Sequence, residues 1–162
     1  MDNLPVRKRN RLKEYDYSAC GVYHITICSR HKKRLFSVIR ENEYTGRADT
    51  YLSDIGKIVE DYLIQIPEHY DCISVLNYVI MPNHVHLLLA IESSDDDSGR
   101  QVVAPTVSTV VMQFKRNVSI AVGETVWQKG FYDHVIRDES DLENTYVYID
   151  ENPVKWDNDE YY

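Results

Sequence analysis

Alternation of apolar and polar residues predicts four strands along the chain. Residues 21–29 alternate in this way and are rich in Val, Tyr, Ile and Thr, which strands favour. Residues 72–81 and 84–91 have the same character, and the Pro-Asn dipeptide between them predicts a tight turn that makes them antiparallel neighbours. Residues 126–136 are expected to form the fourth strand, or an extended ribbon.

Apolar residues at helical spacing predict helices at 52–66 and 106–122. In the first helix, Ser53 is the expected N-cap and Pro67 the expected stop. In the second helix, Phe114 and several valines form one apolar stripe. Each helix therefore has a face suited to a hydrophobic core.

A third helix is predicted at 140–151, where Ser140 and Glu143 have capping-box spacing and Pro153 marks the end. The order strand, helix, strand, strand, helix, strand matches the split βαβ arrangement of ferredoxin-like folds. We therefore expect an α+β protein with a ferredoxin-like, RRM-like antiparallel sheet. Helices cover one face, the other face is open for a ligand, and the third helix is added at the C-terminal side.

The length of 162 residues fits one domain, 1–162, with a basic arm at 1–16 and a flexible polar loop at 92–104. No apolar run is long enough to span a bilayer, and the basic N-terminus does not have the pattern of a signal peptide. The three cysteines are an odd number without close pairing, which argues against a disulfide framework or a cysteine zinc site. A reducing cytoplasm is the expected location.

The net charge of −8 argues at first against a nucleic-acid partner. Its distribution changes that interpretation, because the chain through Arg34 has a balance of +6 and the remainder has −14. A basic arm on an acidic body is compatible with a localised phosphate-binding face, and equally with an arm that is only solvated. Charge alone leaves both interpretations open.

His84 and His86 lie two residues apart in a predicted strand, so their side chains are expected on the same face of the sheet. Two adjacent imidazoles are typical ligands of a divalent cation. A pair of exposed strand histidines is the plainer alternative for an isolated His-x-His pattern. Their expected place on a buried strand favours the metal site.

The third helix has two neighbouring tyrosines on different faces. Tyr146 belongs to the apolar stripe, whereas Tyr148 lies off it and shares a face with Asn144 and Asn152. Tyr146 is therefore expected to pack, and Tyr148 is available for chemistry or for packing elsewhere. Asn152 either ends the helix or donates an oxygen to a metal held by two histidines.

Three segments together resemble the single-tyrosine HUH (His-hydrophobic-His) transposases, and more narrowly the REP-associated tyrosine transposases of bacteria. These segments are NYVIMPNHVHLLL at 77–89, WQKGFYDHVIR at 127–137 and YIDENP at 148–153. The segments at 23–26 and 34–36 also fit the pattern. The resemblance covers roughly residues 17–156 and implies a bacterial, nucleoid-associated protein.

The resemblance implies a role for each matched residue. His84, His86 and Asn152 match the metal ligands, with Mg²⁺ or Mn²⁺ as the ion, and Tyr148 matches the nucleophile on the C-terminal helix. The implied activity is cleavage and rejoining of single-stranded hairpin DNA through a 5′-phosphotyrosine intermediate. A monomer is favoured over a homodimer.

Several basic residues are candidates for contacts with DNA phosphates. They are Arg7, Lys8, Arg9, Arg11, Lys115, Arg116 and Lys129. His134 is expected to line the site or to contact DNA, and a structural role is an equal alternative. Two other function classes stay open. One is a non-catalytic ferredoxin-like nucleic-acid-binding domain, and the other is a histidine-dependent endoribonuclease or phosphoesterase.

Overall fold

A computed structural model of the protein describes residues 20–92 and 104–158. The arm at 1–16 and most of the predicted loop lie outside the described residues. The strands and helices, in chain order, are β1 Gly21–Cys28, β2 Ser37–Glu41, β3 Ala48–Leu52, α1 Asp54–Ile64, α2 Ile66–His69, β4 Ile73–Ile80, β5 His84–Ile91, α3 Val107–Val122, β6 Tyr132–Val135 and α4 Glu139–Glu151. In these parts of the chain, no helix has both the length and the apolar character that crossing a membrane requires.

The main sheet has the strand order β4-β5-β1-β6, and each neighbouring pair is antiparallel. After β1 the chain forms the β2-β3 hairpin and α1. It then enters the main sheet as β4, two positions from β1, and β5 lies between them. This is the split βαβ arrangement, so the predicted fold class is confirmed. The predicted β4-β5 hairpin is confirmed as well, and β5 is a central strand.

One face of the sheet forms the hydrophobic core with α1 and α3. Tyr23, Ile25 and Ile27 of β1 point to this side and are fully buried. The core also contains Val85, Leu87 and Leu89 of β5, Val59 and Leu63 of α1, and Val110, Phe114 and Val118 of α3. The apolar stripes of both predicted helices therefore serve the same core.

The opposite face holds the side chains at the alternate positions of the strands. His86 lies opposite Thr26 in the register, and His24 lies opposite His134. This face is partly covered, because Tyr148 of α4 makes ring contacts with both His24 and His86. The sheet face that was expected to be open is therefore not fully exposed. A ligand has to approach it beside α4.

Two predictions about the ends of helices were wrong. Helix α1 ends at Ile64, and Pro67 lies in the first turn of α2 instead of ending a helix. Proline is accepted there because its missing N–H has no partner in a first turn. The N-cap of α4 is Asp138, whose carboxylate accepts a hydrogen bond from the backbone N–H of Asp141, so Ser140 is not the cap.

The strand predicted at 126–136 is regular only over Tyr132–Val135. Before it, Trp127 makes one isolated bridge to Ser29, and Gly130 has a φ of 82°. A positive φ at Gly130 breaks the extended backbone between these two contacts. The segment is therefore an interrupted ribbon along β1.

Candidate active site

His84 and His86 form a buried pair at the start of β5. Both side chains are at most 1% exposed. Their Nε2 atoms lie 3.1 Å apart, and the ring centroids are separated by 4.7 Å. The prediction that the two imidazoles share one face of the sheet is confirmed.

The neighbours of His84 determine which of its ring nitrogens has a lone pair. Its Nδ1 lies 2.8 Å from Oδ1 of Asn83, and a carbonyl oxygen only accepts, so Nδ1–H is the donor. Burial lowers the pKa of His84 to about 3, with the charge of Lys32 acting in the same direction and the side chain of Asn152 opposing it. His84 is therefore neutral at pH 7, with its lone pair on Nε2, directed towards His86.

Burial also holds the pKa of His86 well below its ordinary value, and the neighbouring His84 and His24 add to this effect. Two neutral imidazoles thus converge through Nε2, the arrangement in which a cation accepts both lone pairs. The charge state and the geometry of the pair both suit metal binding.

Asn152 supplies a third donor atom beside the pair. It follows the last turn of α4 and is 4% exposed, and its Oδ1 is buried without a hydrogen-bond partner of normal geometry. An orphaned carbonyl oxygen in such a place costs free energy unless a ligand satisfies it. Within the described residues, no group of three His, Cys, Asp or Glu side chains is placed to hold a metal. Two imidazoles and one amide oxygen are therefore the donor set available, and they fit a divalent cation.

Tyr148 lies above the histidines. Its ring meets that of His86 edge-on, with centroids 5.2 Å apart, and its side chain is 39% exposed. Tyr146, in contrast, turns away and donates its hydroxyl hydrogen to the backbone oxygen of Leu76 over 3.3 Å. The predicted division of the two tyrosines between different faces is confirmed.

The sequence analysis did not identify two polar side chains beneath the site. His24 Nε2 lies 3.1 Å from His86 Nδ1, and Thr26 Oγ1 lies 3.0 Å from the same atom. Burial lowers the pKa of His24 to about 4. The alternation of His24 and Thr26 in β1 was the available signal, because it places both side chains on one face. It did not reveal which face, or that His86 would lie opposite.

Trp156 closes the site on the side of His84. It is 6% exposed, and its ring centroid lies 6.1 Å from that of His84. The guanidinium carbon of Arg34 lies 5.5 Å from the centroid of the Trp156 ring, at a cation-π distance. The segment after α4 therefore contributes a wall of the site, which no sequence pattern indicated.

Three of the candidate DNA contacts, Lys115, Arg116 and Lys129, lie together on one groove away from the histidine site. Lys115 donates from Nζ to the backbone oxygens of Gln128 and Gly130, at 2.7 and 2.8 Å, and burial lowers its pKa. Arg116 and Lys129 line an open groove of about 850 Å³, and Lys115 lies in its wall as well. None of these residues belongs to the histidine site. Arg7, Lys8, Arg9 and Arg11 lie outside the described residues.

His134 lies on the same sheet face as His24 but is engaged with α4. Its Nε2 lies 2.9 Å from a carboxylate oxygen of Asp141 in the first turn of α4. The hydrogen bond from His134, and then the one from the backbone N–H of Arg137, hold the pKa of Asp141 below its ordinary value. His134 thus connects β6 to the tyrosine helix, and its contact with DNA stays a prediction.

Comparison with known proteins identifies the family. The family model "Transposase IS200 like" matches residues 18–152. An uncharacterised protein of Haemophilus influenzae is 30% identical, over 96% of this chain and 93% of its own length. A second protein of that organism, described as a candidate REP-associated tyrosine transposase, is 31% identical over 86% of this chain and 74% of its own length.

A solved structure of a REP-associated tyrosine transposase bound to a REP hairpin has the same fold. It superposes with a TM-score of 0.64 at 21% identity, covering 90% of this chain and 74% of that one. The family model and the second relative from Haemophilus influenzae each match most of the chain. The chain therefore belongs to the IS200-like transposases, in the branch of the REP-associated tyrosine transposases.

Proposed function

We propose that this protein cuts and rejoins single-stranded DNA, with Tyr148 as the nucleophile and with His84, His86 and Asn152 as ligands of a divalent cation. The observation that carries the proposal is the position of the Tyr148 ring over the two imidazoles, 5.2 Å from that of His86. The tyrosine and the two histidines come from elements at different places in the chain. Packing alone gives no reason for a half-exposed phenol above two buried histidines and an orphaned amide oxygen.

Tyr148 is 39% exposed, so a DNA strand is able to approach its side chain. Attack forms a bond between the tyrosine oxygen and phosphorus while the bond from phosphorus to the 3′-oxygen breaks. The phenolic proton passes to solvent water, and the departing 3′-oxygen takes a proton from solvent water. The 3′-hydroxyl of a second strand reverses the exchange, so the phosphodiester is rejoined without net hydrolysis.

The residues around the tyrosine prepare the site for this exchange. When bound, a divalent cation offsets the negative charge that develops on the phosphate. The neutral imidazoles and the amide oxygen of Asn152 would hold it, and Trp156 excludes water on the side of His84. Imidazole ligands bind Mn²⁺ more tightly than Mg²⁺, so we expect Mn²⁺ to support cleavage at lower concentration.

For the substrate we propose a DNA hairpin with a single-stranded flank. A solved relative with the same fold is bound to a REP hairpin, which supports this choice. The acidic body of the chain predicts that binding weakens steeply with salt, because attraction to the phosphates has to come from local basic segments. We propose a monomer as the working unit, with a homodimer as the alternative.

The test uses a library of hairpin oligonucleotides with single-stranded flanks, each labelled at either the 5′ or the 3′ end. With Mn²⁺, a 5′-phosphotyrosine keeps the 3′-labelled fragment on the protein through a denaturing gel. The 5′-labelled fragment is released with a free 3′-hydroxyl. Tyr148→Phe is expected to abolish the adduct while retaining DNA binding, and Tyr44→Phe, at a position that is 97% exposed, is the control.

Other results identify the alternative functions. Cleavage without an adduct, unaffected by Tyr148→Phe, contradicts the proposal and indicates a histidine-dependent hydrolase. Binding across the library with neither cleavage nor adduct, in both Mn²⁺ and Mg²⁺, indicates a binding domain. An adduct that persists in Tyr148→Phe identifies a different nucleophile.

A further inference from the structure

His24 contacts both parts of the site, although it is neither the nucleophile nor one of the expected ligands. It belongs to β1, and its side chain is on the same face of the sheet as His86. Its Nε2 lies 3.1 Å from Nδ1 of His86, and its ring lies edge-on to Tyr148 with centroids 5.7 Å apart. The two contacts use different properties of the side chain, a ring nitrogen for His86 and the ring itself for Tyr148.

We infer that His24 is a positioning residue that orients His86 for the cation and supports the ring of Tyr148 above it. This inference rests on the proposed function. It assigns His24 no contact with the cation and no bond to the substrate.

The contact with His86 determines where the proton of that ring is. His86 binds a cation through Nε2 only when its single ring proton is on Nδ1. A buried N–H needs an acceptor, and His24 Nε2 and Thr26 Oγ1 lie within reach, at 3.1 and 3.0 Å. A neutral His24 with its own proton on Nδ1 presents a lone pair at Nε2. His24 and Thr26 together thus favour the tautomer of His86 that binds metal.

The contact with Tyr148 places the phenol relative to the histidine pair. The interplanar angle of 68° between His24 and Tyr148 resembles the 76° between His86 and Tyr148, so the tyrosine ring rests edge-on against both imidazoles. Removing the ring at position 24 leaves space beneath the tyrosine, and misplacement by about 1 Å costs as much as a hundredfold in rate.

Two substitutions separate these contacts. His24→Phe keeps a ring under Tyr148 but removes the acceptor for His86, whereas His24→Gln keeps an acceptor and removes the ring. We expect His24→Phe to weaken Mn²⁺ binding by about tenfold, because Thr26 still contacts Nδ1, and His24→Gln to bind Mn²⁺ nearly as the parent does. At saturating Mn²⁺ the order reverses, and His24→Gln forms the covalent adduct about tenfold more slowly while His24→Phe approaches the parent rate.

The measurements are calorimetric titration of the metal-free proteins with Mn²⁺ and single-turnover adduct formation with the hairpin library. His69→Phe, at an exposed position on α2, is the control and is expected to change neither. Adding Thr26→Val to His24→Phe leaves Nδ1 of His86 without either partner and is expected to lower Mn²⁺ affinity by about a hundredfold. Thermal unfolding of each metal-free variant separates these effects from loss of folding.

The inference is supported if His24→Phe mainly loses Mn²⁺ affinity while His24→Gln mainly loses the rate of adduct formation. Two results overturn it. One is Mn²⁺ affinity and adduct rate that stay at parent values in both His24 variants. The other is equal loss of both in both variants together with a lower unfolding temperature, which a purely structural residue would give. Failure of the proposed function looks different, because the parent protein then binds no Mn²⁺ or Tyr148→Phe still forms the adduct.

Discussion

The ring of Tyr148 meets the ring of His86 edge-on, with centroids 5.2 Å apart and planes inclined at 76°. Tyr148 belongs to α4 and His86 to the central strand β5, so this contact joins the end of the fold to its middle. The hydrogen bond from Tyr146 to Leu76 and the interaction of His134 with Asp141 hold α4 over the sheet from either side. The contact therefore depends on where α4 is held.

The two tyrosines of α4 are expected to differ in their effects on stability. Tyr146→Phe removes the hydrogen bond to the backbone oxygen of Leu76 and should lower the free energy of unfolding by about 1 kcal/mol. Tyr148→Phe keeps the ring of a half-exposed side chain and should change it by less than about 0.5 kcal/mol. Urea denaturation of both variants measures the difference. A larger loss in Tyr148→Phe would mean that this tyrosine is mainly a packing residue.

Asn152 is expected to contribute to metal binding at the expense of stability. Its buried Oδ1 has no hydrogen-bond partner of normal geometry, and such a group costs about 1–3 kcal/mol. Asn152→Ala should therefore leave the unfolding temperature of the metal-free protein unchanged or raised, because loss of the orphaned oxygen offsets loss of packing. Its Mn²⁺ affinity should fall by at least about tenfold. Unchanged affinity with a lower unfolding temperature would identify Asn152 as a residue that only ends the helix.

Lys115 and Lys129 are expected to act differently although they line one groove. Lys115→Met breaks two hydrogen bonds that join α3 to the segment before β6, so it should lower the free energy of unfolding by about 1 kcal/mol. It should not alter the salt dependence of DNA binding. Lys129→Met should reduce the slope of log affinity against log salt by about 0.7, the value for one phosphate contact on a single strand. Equal slopes for Lys129→Met and the parent would remove Lys129 from the DNA-binding surface.

Asp141 is expected to make the attachment of α4 sensitive to acid. Because the hydrogen bonds from His134 and Arg137 hold its folded-state pKa below the ordinary value of 3.8, its ionised form stabilises the folded state at higher pH. That contribution is present above the unfolded-state pKa and is lost as the pH falls through the lower, folded-state pKa. Asp141→Asn removes the titration, so its unfolding temperature should differ most from the parent near pH 7 and converge with it at acid pH. Parallel curves from pH 7 to pH 2.5 would contradict this account.

Local periodicity was sufficient to predict which side chains share a face within one strand or one helix. The two-residue period of a strand placed His84 and His86 together, and the 3.6-residue period of a helix separated Tyr148 from Tyr146. Both results follow from backbone geometry within a few residues, so no long-range information was required. The order of strands and helices was sufficient for the ferredoxin-like topology in the same way.

Pairing between strands and packing of α4 decided which other side chains surround the histidine pair. Thr26 lies opposite His86 only because of the β1-β5 register, and Asn152 and Trp156 approach His84 only because the chain after α4 folds back onto the site. Register and docking depend on contacts between residues far apart in the chain, whose energies no short segment contains. By itself the sequence therefore determined the fold class, the shared face of the histidine pair and the position of Tyr148 off the apolar stripe of its helix. The tertiary structure decided that these meet, that His24 lies beneath them, and that Lys115 and His134 are engaged in bonds within the protein.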